Sequence, residues 1–147
     1  MTDDGVREVG LVSCVSAKRG EATVPRDLYT STYFVKMREY AQQEHDEWWI
    51  LSAKHGLLDP DGEPIEPYDE TLRDATADER RDWADTVVDQ LSAEGQFDEP
   101  VRFVVHAGKD YYGELIPRLE PHQDVEVEIP TEGLRIGEKL AWYDENS

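Results

Sequence analysis

The sequence predicts a single α/β domain of three layers, in which a short, mostly parallel four-stranded sheet is flanked by helices. Two observations carry this prediction. Segments with strand and helix patterns alternate along the chain, which is typical of parallel sheets. The predicted strands are short apolar runs, as expected where both faces of a sheet are covered. The 147 residues suit one domain, and we expect residues 1–5 to be flexible.

The first half of the chain supplies two strands and a helix. Residues 6–15 are largely apolar and predict a buried strand, and the Gly- and Pro-containing residues 16–29 predict a loop. Thr30 or Ser31 can cap the helix that follows. Residues 47–53 predict the second strand.

The second half begins with a long irregular segment. Residues 54–73 hold three prolines and predict a loop, and a loop of this length is usually functional or disordered. Thr76 and Glu79 form a capping-box pattern, and Gly95 can end the helix behind it. Residues 101–106 predict a strand, and a helix should begin at about Asp110 and be kinked or ended by Pro117. Residues 124–129 alternate and predict an edge strand. A loop at 133–137 and a helix at 138–143 complete the prediction.

Charge and composition exclude several classes of protein. The chain has 34 acidic and 15 basic residues, a formal charge of −19, so it offers no broad basic face for nucleic acid or an anionic membrane. Its hydrophobic fraction of 38% is enough for a core, which argues against disorder. A diffuse excess of carboxylates with only five lysines is typical of a halophilic protein, because high salt screens self-repulsion.

The chain also lacks the signals of export. Residues 1–5 are polar and acidic, and no apolar run approaches the roughly 20 residues that span a bilayer. Cys14, the single cysteine, cannot form an internal disulfide or a cysteine-based zinc site. We therefore expect a cytoplasmic protein with no membrane partner. The sequence predicts neither a metal site nor a cofactor, and leaves the oligomeric state open.

A lysine follows each of the first three predicted strands. Lys18, Lys54 and Lys109 should therefore meet at the carboxyl edge of the sheet, where ligands bind in such folds. Clustered ammonium groups bind anions such as phosphate, and a lysine with a lowered pKa can act as a nucleophile. The alternative is that each lysine is a solvated residue near carboxylates.

Other candidate site residues lie in the same turns or lead into the helices. His55 and His106 are candidates for acid/base catalysis, or simply structural hydrogen-bonding residues. Tyr68 could stack on a planar base or cover the core. Cys14 could be a reactive thiol or a small buried residue. Asp27 could bind a ligand or cap a turn. The further candidates for ligand binding are Ser13, Tyr29, Ser31, Ser52, Gly56, Gly108 and Tyr112. We expect His45 and His122 to lie in surface turns without a role.

Five motifs resemble those of an uncharacterised bacterial and archaeal family. They are Ser-Cys-x-x-x-Lys, Asp-Leu-Tyr-x-Ser-x-x-Phe, Leu-Ser-Ala-Lys-x-Gly-Leu, Pro-Tyr-Asp-x-Thr-Leu and Gly-Leu-x-Ile-Gly, at residues 13–18, 27–34, 51–57, 67–72 and 133–137. The first motif and the later Tyr-x-Ser are more distantly similar to archaeosine synthase and to the peroxide-stress protein YaaA. That resemblance implies a uracil-DNA-glycosylase-like α/β fold, chemistry on a nucleic-acid base, and Lys18 at the position of the nucleophile.

These observations lead to two main hypotheses. The first is an enzyme that acts on a nucleobase, nucleoside or nucleotide by base modification or N-glycosidic chemistry in DNA or RNA. Lys18, His55 and His106 would be catalytic, and Lys54 and Lys109 would bind phosphate. The alternative is a non-catalytic module that binds a nucleotide or nucleic acid in the same cleft, in stress response or defence. A third possibility is an accessory protein that acts through protein contacts.

Overall fold

A five-stranded mixed sheet lies between two pairs of helices. The computed structural model describes residues 6–13, 20–68 and 71–146. The strands are β1 (Arg7–Ser13), β2 (Glu47–Ser52), β3 (Gly56–Leu58), β4 (Val101–His106) and β5 (Val125–Glu128), in the order β3-β2-β1-β4-β5. All neighbouring pairs are parallel except β2 and β3. The α/β prediction is confirmed, whereas the count of four strands is wrong.

The helices close the two faces of this sheet. They are α1 (Pro25–Leu28), α2 (Thr32–Glu44), α3 (Ala77–Ala93), α4 (Lys109–Leu119) and α5 (Ile136–Asn146), with a 3₁₀ turn at Leu72–Asp74. Helices α3 and α4 pack on one face against alternate strand residues such as Leu11 and Val105. Helices α2 and α5 pack on the other face, against Val12 and Ile50. None of the helices in the described ranges is long and apolar enough to cross a membrane.

The predicted loops contain short elements that the sequence pattern did not reveal. Strand β3 falls within 54–73, where Gly56 at φ 76° lets the chain fold back so that Leu57 and Leu58 pair with the edge of β2. Pro25 opens the short helix α1 within 16–29. The helix α4 continues past Pro117 to Leu119, and α5 begins two residues before the predicted start.

Several local predictions are confirmed. The Ser31 hydroxyl caps α2, Thr76 and Glu79 form the capping box of α3, and β4 has the predicted bounds. Strand β5 is an edge strand whose side chains alternate between half-buried and exposed. The expectation for residues 1–5, and the end of the first predicted strand at Cys14 and Val15, lie outside the described residues.

Candidate functional site

The direction of the strand order reverses between β1 and β4, at the carboxyl edge of the sheet. The chain passes from β1 to β2 on one side and then returns past β1 to β4 on the other. In open α/β sheets such a reversal leaves a crevice beyond the strand ends, where ligands bind. Among the described residues, the turn from β4 into α4 lies at this crevice.

Two of the predicted lysines lie on opposite sides of this crevice. Lys54 follows β2 and Lys109 begins α4, and both are exposed. Strands β2 and β4, which these lysines follow, lie on either side of β1, two strand spacings or roughly 10 Å apart. Lys18, the third predicted lysine, lies outside the described residues, as does Cys14.

Lys139 is a further lysine at this edge, and the sequence analysis missed it. It belongs to α5, and its Nζ atom lies 4.0 Å from the position that a Cβ atom on Gly108 would take. Burial lowers the pKa of Lys139 below its ordinary value. Gly108 is the N-cap of α4, whose first N–H groups carry a partial positive charge. Among the described residues no carboxylate pairs with Lys139, and its ammonium group lies near the positive end of α4.

Three hydroxyl groups form a buried cluster at the end of β2. Ser52 Oγ lies 2.6 Å from the Tyr68 hydroxyl, which lies 2.5 Å from the Tyr29 hydroxyl. The His55 backbone N–H donates to Ser52 Oγ at 3.0 Å. All three hydroxyl-bearing side chains are buried. Tyr68 therefore covers the core in this structure and does not present its ring for stacking on a base.

Helix α3 fixes the turn that carries His55. The side-chain amide of Gln90 accepts from Leu57 N–H at 2.8 Å and donates to the His55 carbonyl oxygen at 3.1 Å. A Cβ atom on Gly56 would lie 2.3 Å from Gln90 Oε1, and φ at Gly56 is 76°, so this glycine serves the turn. The His55 ring contacts the edge of Tyr68, at 5.4 Å between centroids, and remains half-exposed. His55 thus keeps a partly exposed ring in the turn between β2 and β3.

The contacts of His106 differ from those of His55. Its side chain is completely buried, and burial together with the neighbouring His45 lowers its pKa to about 3. Its Nε2 atom lies 2.8 Å from Nε2 of His45, and its Nδ1 atom lies 2.6 Å from the Tyr143 hydroxyl. Because both ring nitrogens are engaged, His106 cannot exchange a proton directly with a bound ligand in this conformation. His45, expected in a surface turn, has a side chain only 2% exposed.

The remaining candidates lie apart from the crevice or have local partners. Asp27 forms an ion pair with Arg38, at 3.4 Å, and Ser31 accepts from the backbone N–H of Phe34. Ser13 is buried at the end of β1, and Tyr112 packs on the α3/α4 side of the sheet. The described ranges contain no group of three or more His, Cys, Asp or Glu side chains that could hold a metal ion.

Comparison with known proteins places the chain in a family. It belongs to the family of unknown function DUF6884, whose model matches residues 9–145. It is similar to Uncharacterized protein YfjM of Bacillus subtilis (strain 168), with 34% identity over 99 residues. This match covers 67% of the present chain and 64% of the relative, so the chain spans less than two thirds of that protein. No solved structure matches the sequence.

Proposed function

We propose that this member of the DUF6884 family binds a nucleotide, nucleoside or nucleobase in the crevice beyond β1 and β4 and acts on the base as an enzyme. The observation that carries the proposal is the set of cations at this edge. Lys54, Lys109 and Lys139 account for three of the five lysines of a chain with a charge of −19. A local positive site in an acidic protein favours a compact anionic ligand over the extended backbone of a nucleic acid.

The roles follow from where each group lies. Lys139 and the N-terminus of α4 would bind one phosphate group, because an ammonium group and backbone N–H groups both favour a dianion. Lys54 would neutralise negative charge from the opposite side of the β1 end. The half-exposed His55 ring would transfer protons, a role that the buried His106 cannot fill by contact.

Lys18 enters this proposal through the resemblance to archaeosine synthase alone. As a nucleophile its amine would attack the anomeric carbon, and the electrons of the N-glycosidic bond would leave with the base. The base would take up the proton that the amine loses, the C1′–O4′ bond would break as a second amine proton passes to O4′, and the opened sugar would remain attached to Lys18 as an imine. Borohydride reduction followed by peptide mass spectrometry detects this adduct on the peptide that contains Lys18.

Binding is tested by calorimetric titration with guanosine 5′-monophosphate, with guanosine and with inorganic phosphate at fixed salt. We expect the nucleotide to bind, and the triple variant Lys54→Met, Lys109→Met, Lys139→Met to bind at least about tenfold more weakly, the loss of one good charged contact. Lys36→Met is the matched control, because Lys36 pairs with Asp144. Equal affinity of the triple variant and the native chain would refute the proposed site.

Catalysis is separated from simple binding by analysing the ligand afterwards. Incubation with the nucleotide, and with short DNA and RNA oligonucleotides, should yield a free or altered base by liquid chromatography and mass spectrometry. Recovery of every ligand unmodified, together with lysine-dependent binding, would favour the non-catalytic module instead.

A further inference from the structure

Four side chains form a continuous row of hydrogen bonds on the α2/α5 face of the sheet. Glu8 Oε1 lies 2.7 Å from His45 Nδ1, and His45 Nε2 lies 2.8 Å from His106 Nε2. His106 Nδ1 lies 2.6 Å from the Tyr143 hydroxyl. The row joins β1, the end of α2, β4 and α5. It is separate from the proposed nucleotide site and does not depend on that proposal.

The chemistry of these groups determines which atom donates in each hydrogen bond. An ionised Glu8 only accepts, so His45 donates from Nδ1, and a neutral His45 then accepts at Nε2. His106 must therefore donate from Nε2 and accept at Nδ1, so Tyr143 donates its hydroxyl proton. Every donor in the row points toward Glu8.

A proton added to His45 would reverse the other half of the row. Doubly protonated His45 donates from both nitrogens, so His106 Nε2 would have to become an acceptor. The proton of His106 would then reside on Nδ1 and be donated to the Tyr143 oxygen. Tyr143 would have to direct its own hydroxyl proton elsewhere, which requires another acceptor near α5.

Thr131 provides that acceptor. Its side chain is completely buried, and its Oγ1 atom has no hydrogen-bond partner in the described parts of the chain. Burial raises the pKa of Tyr143, the nearby Tyr33 adds to the rise, and an interaction with the Thr131 hydroxyl opposes it, so this hydroxyl lies close to Tyr143. A formed hydrogen bond is absent in the present arrangement. A buried hydroxyl oxygen without a partner is unfavourable, and the reversed row would supply Thr131 Oγ1 with a donor.

The charges around the row decide which histidine takes the proton. His45 faces the Glu8 carboxylate, whereas His106 lies deep among aromatic rings. Arg102 of β4 lies 3.6 Å from the other oxygen of Glu8 and also pairs with Glu126. Tyr40 of α2 packs against both imidazole rings, and Glu44 of α2 and Glu128 of β5 lie near Tyr40. Tyr33 of α2 lies near Tyr143, and Asp46 accepts from the Glu8 backbone N–H at 2.9 Å. Negative groups thus predominate at the His45 end.

We propose that the His45–His106 pair is a buried proton-binding site with two hydrogen-bond arrangements. One proton from solvent adds to the row, and no electrons are transferred. His45 becomes an imidazolium ion paired with Glu8, the proton of His106 moves from Nε2 to Nδ1, and Tyr143 turns its hydroxyl toward Thr131.

Nuclear magnetic resonance of the ¹⁵N-labelled full chain tests this site directly. Long-range ¹H–¹⁵N correlations distinguish protonated from unprotonated ring nitrogens. At pH 8 we expect His45 protonated at Nδ1 and His106 at Nε2. On acidification His45 should gain a second proton while the His106 proton moves to Nδ1. A His45 protonated at Nε2 at pH 8, or a His106 that keeps its Nε2 proton after His45 is charged, would overturn the proposal.

Substitution of the acceptor gives a second test. Thr131→Val removes the acceptor that only the protonated arrangement uses, so the midpoint of His45 protonation should fall by about one pH unit, the equivalent of one hydrogen bond. Thr131→Ser should restore the midpoint. Thr86→Val is the matched control, because it makes the same change at an exposed threonine of α3, on the opposite face of the sheet. Equal midpoints for Thr131→Val and the native chain would contradict the role of Thr131.

Discussion

Gly10 leaves the space that the imidazole of His45 occupies. A Cβ atom on Gly10 would lie 2.5 Å from Cδ2 of His45. Gly10 lies within the central strand β1, paired with Trp48 of β2 and Val104 of β4, so the backbone there cannot easily move away. The absence of a side chain at residue 10 is what allows His45 to reach both Glu8 and His106.

Gly10→Ala should therefore destabilise the fold and displace His45. We expect a loss of about 1–3 kcal/mol in the free energy of unfolding, the usual range for overpacking of a core. Urea denaturation measures the loss. Gly20→Ala is the control, because a Cβ atom there meets nothing within 4 Å. If both variants unfold at the same urea concentration, the close approach of Gly10 and His45 has no energetic importance.

The buried hydroxyl group of Tyr68 should stabilise the fold through its hydrogen bonds to Tyr29 and Ser52. Tyr68→Phe leaves Ser52 Oγ and the Tyr29 hydroxyl without their shared partner in a buried cluster. The expected loss is about 1 kcal/mol, the net contribution of a typical hydrogen bond, because Ser52 Oγ keeps its contact with the His55 N–H. Thermal and urea unfolding measure it. Tyr112→Phe, at a half-buried position, is the matched control and should unfold much like the native chain.

An alternative outcome for Tyr68 bears on the candidate site. If Tyr68→Phe keeps nucleotide binding and Tyr68→Leu loses it while both variants remain folded, the Tyr68 ring contacts the ligand and leaves the core when the ligand binds. The stacking role that the sequence suggests would then apply to the bound state, and the buried position would describe the free protein.

Local signals explain what the sequence could predict. The caps at Ser31 and Thr76 and the apolar run of β4 depend on neighbouring residues, so each could be identified without the fold. Strand β3 has only three residues and exists because β2 offers an unpaired edge. Its formation depends on tertiary structure, and no periodic pattern of three residues could have revealed it.

For the candidate site, too, the sequence reveals the local features and not those that depend on tertiary structure. That polar residues follow the parallel strands is visible in the sequence, but the direction of each side chain is not. His106 points to the same face as Val104, toward α2 and α5, whereas Ala107 joins the opposite cluster. The burial of His45 depends on Gly10, which is far away along the chain. Lys139 could have been considered, because a helix that follows β5 starts at the carboxyl edge.

Salt should stabilise this protein strongly. With a formal charge of −19 the folded chain repels itself, and the screening length falls from about 10 Å at 0.1 M salt to about 3 Å at 1 M. We expect the melting temperature to rise steadily between 0.1 and 2 M KCl. Glucose at matched osmolality is the control for effects other than charge screening. A melting temperature that is independent of KCl would show that the carboxylates are too dispersed to matter.

His106 should make the fold sensitive to mild acid. Its pKa is about 3 in the folded chain, below the ordinary 6.5, so the unfolded chain binds more protons once the pH falls below about 6.5. Its contribution to stability is therefore lost as the pH falls, by about 2 kcal/mol between pH 7.5 and pH 5. Urea denaturation at several pH values measures this loss, and in His106→Gln the decline should be smaller by that amount. His122→Gln, which replaces a histidine stacked on Phe97, controls for the removal of one histidine. Parallel pH curves for the native chain and His106→Gln would show that His106 accepts a proton in the folded state as readily as in the unfolded state.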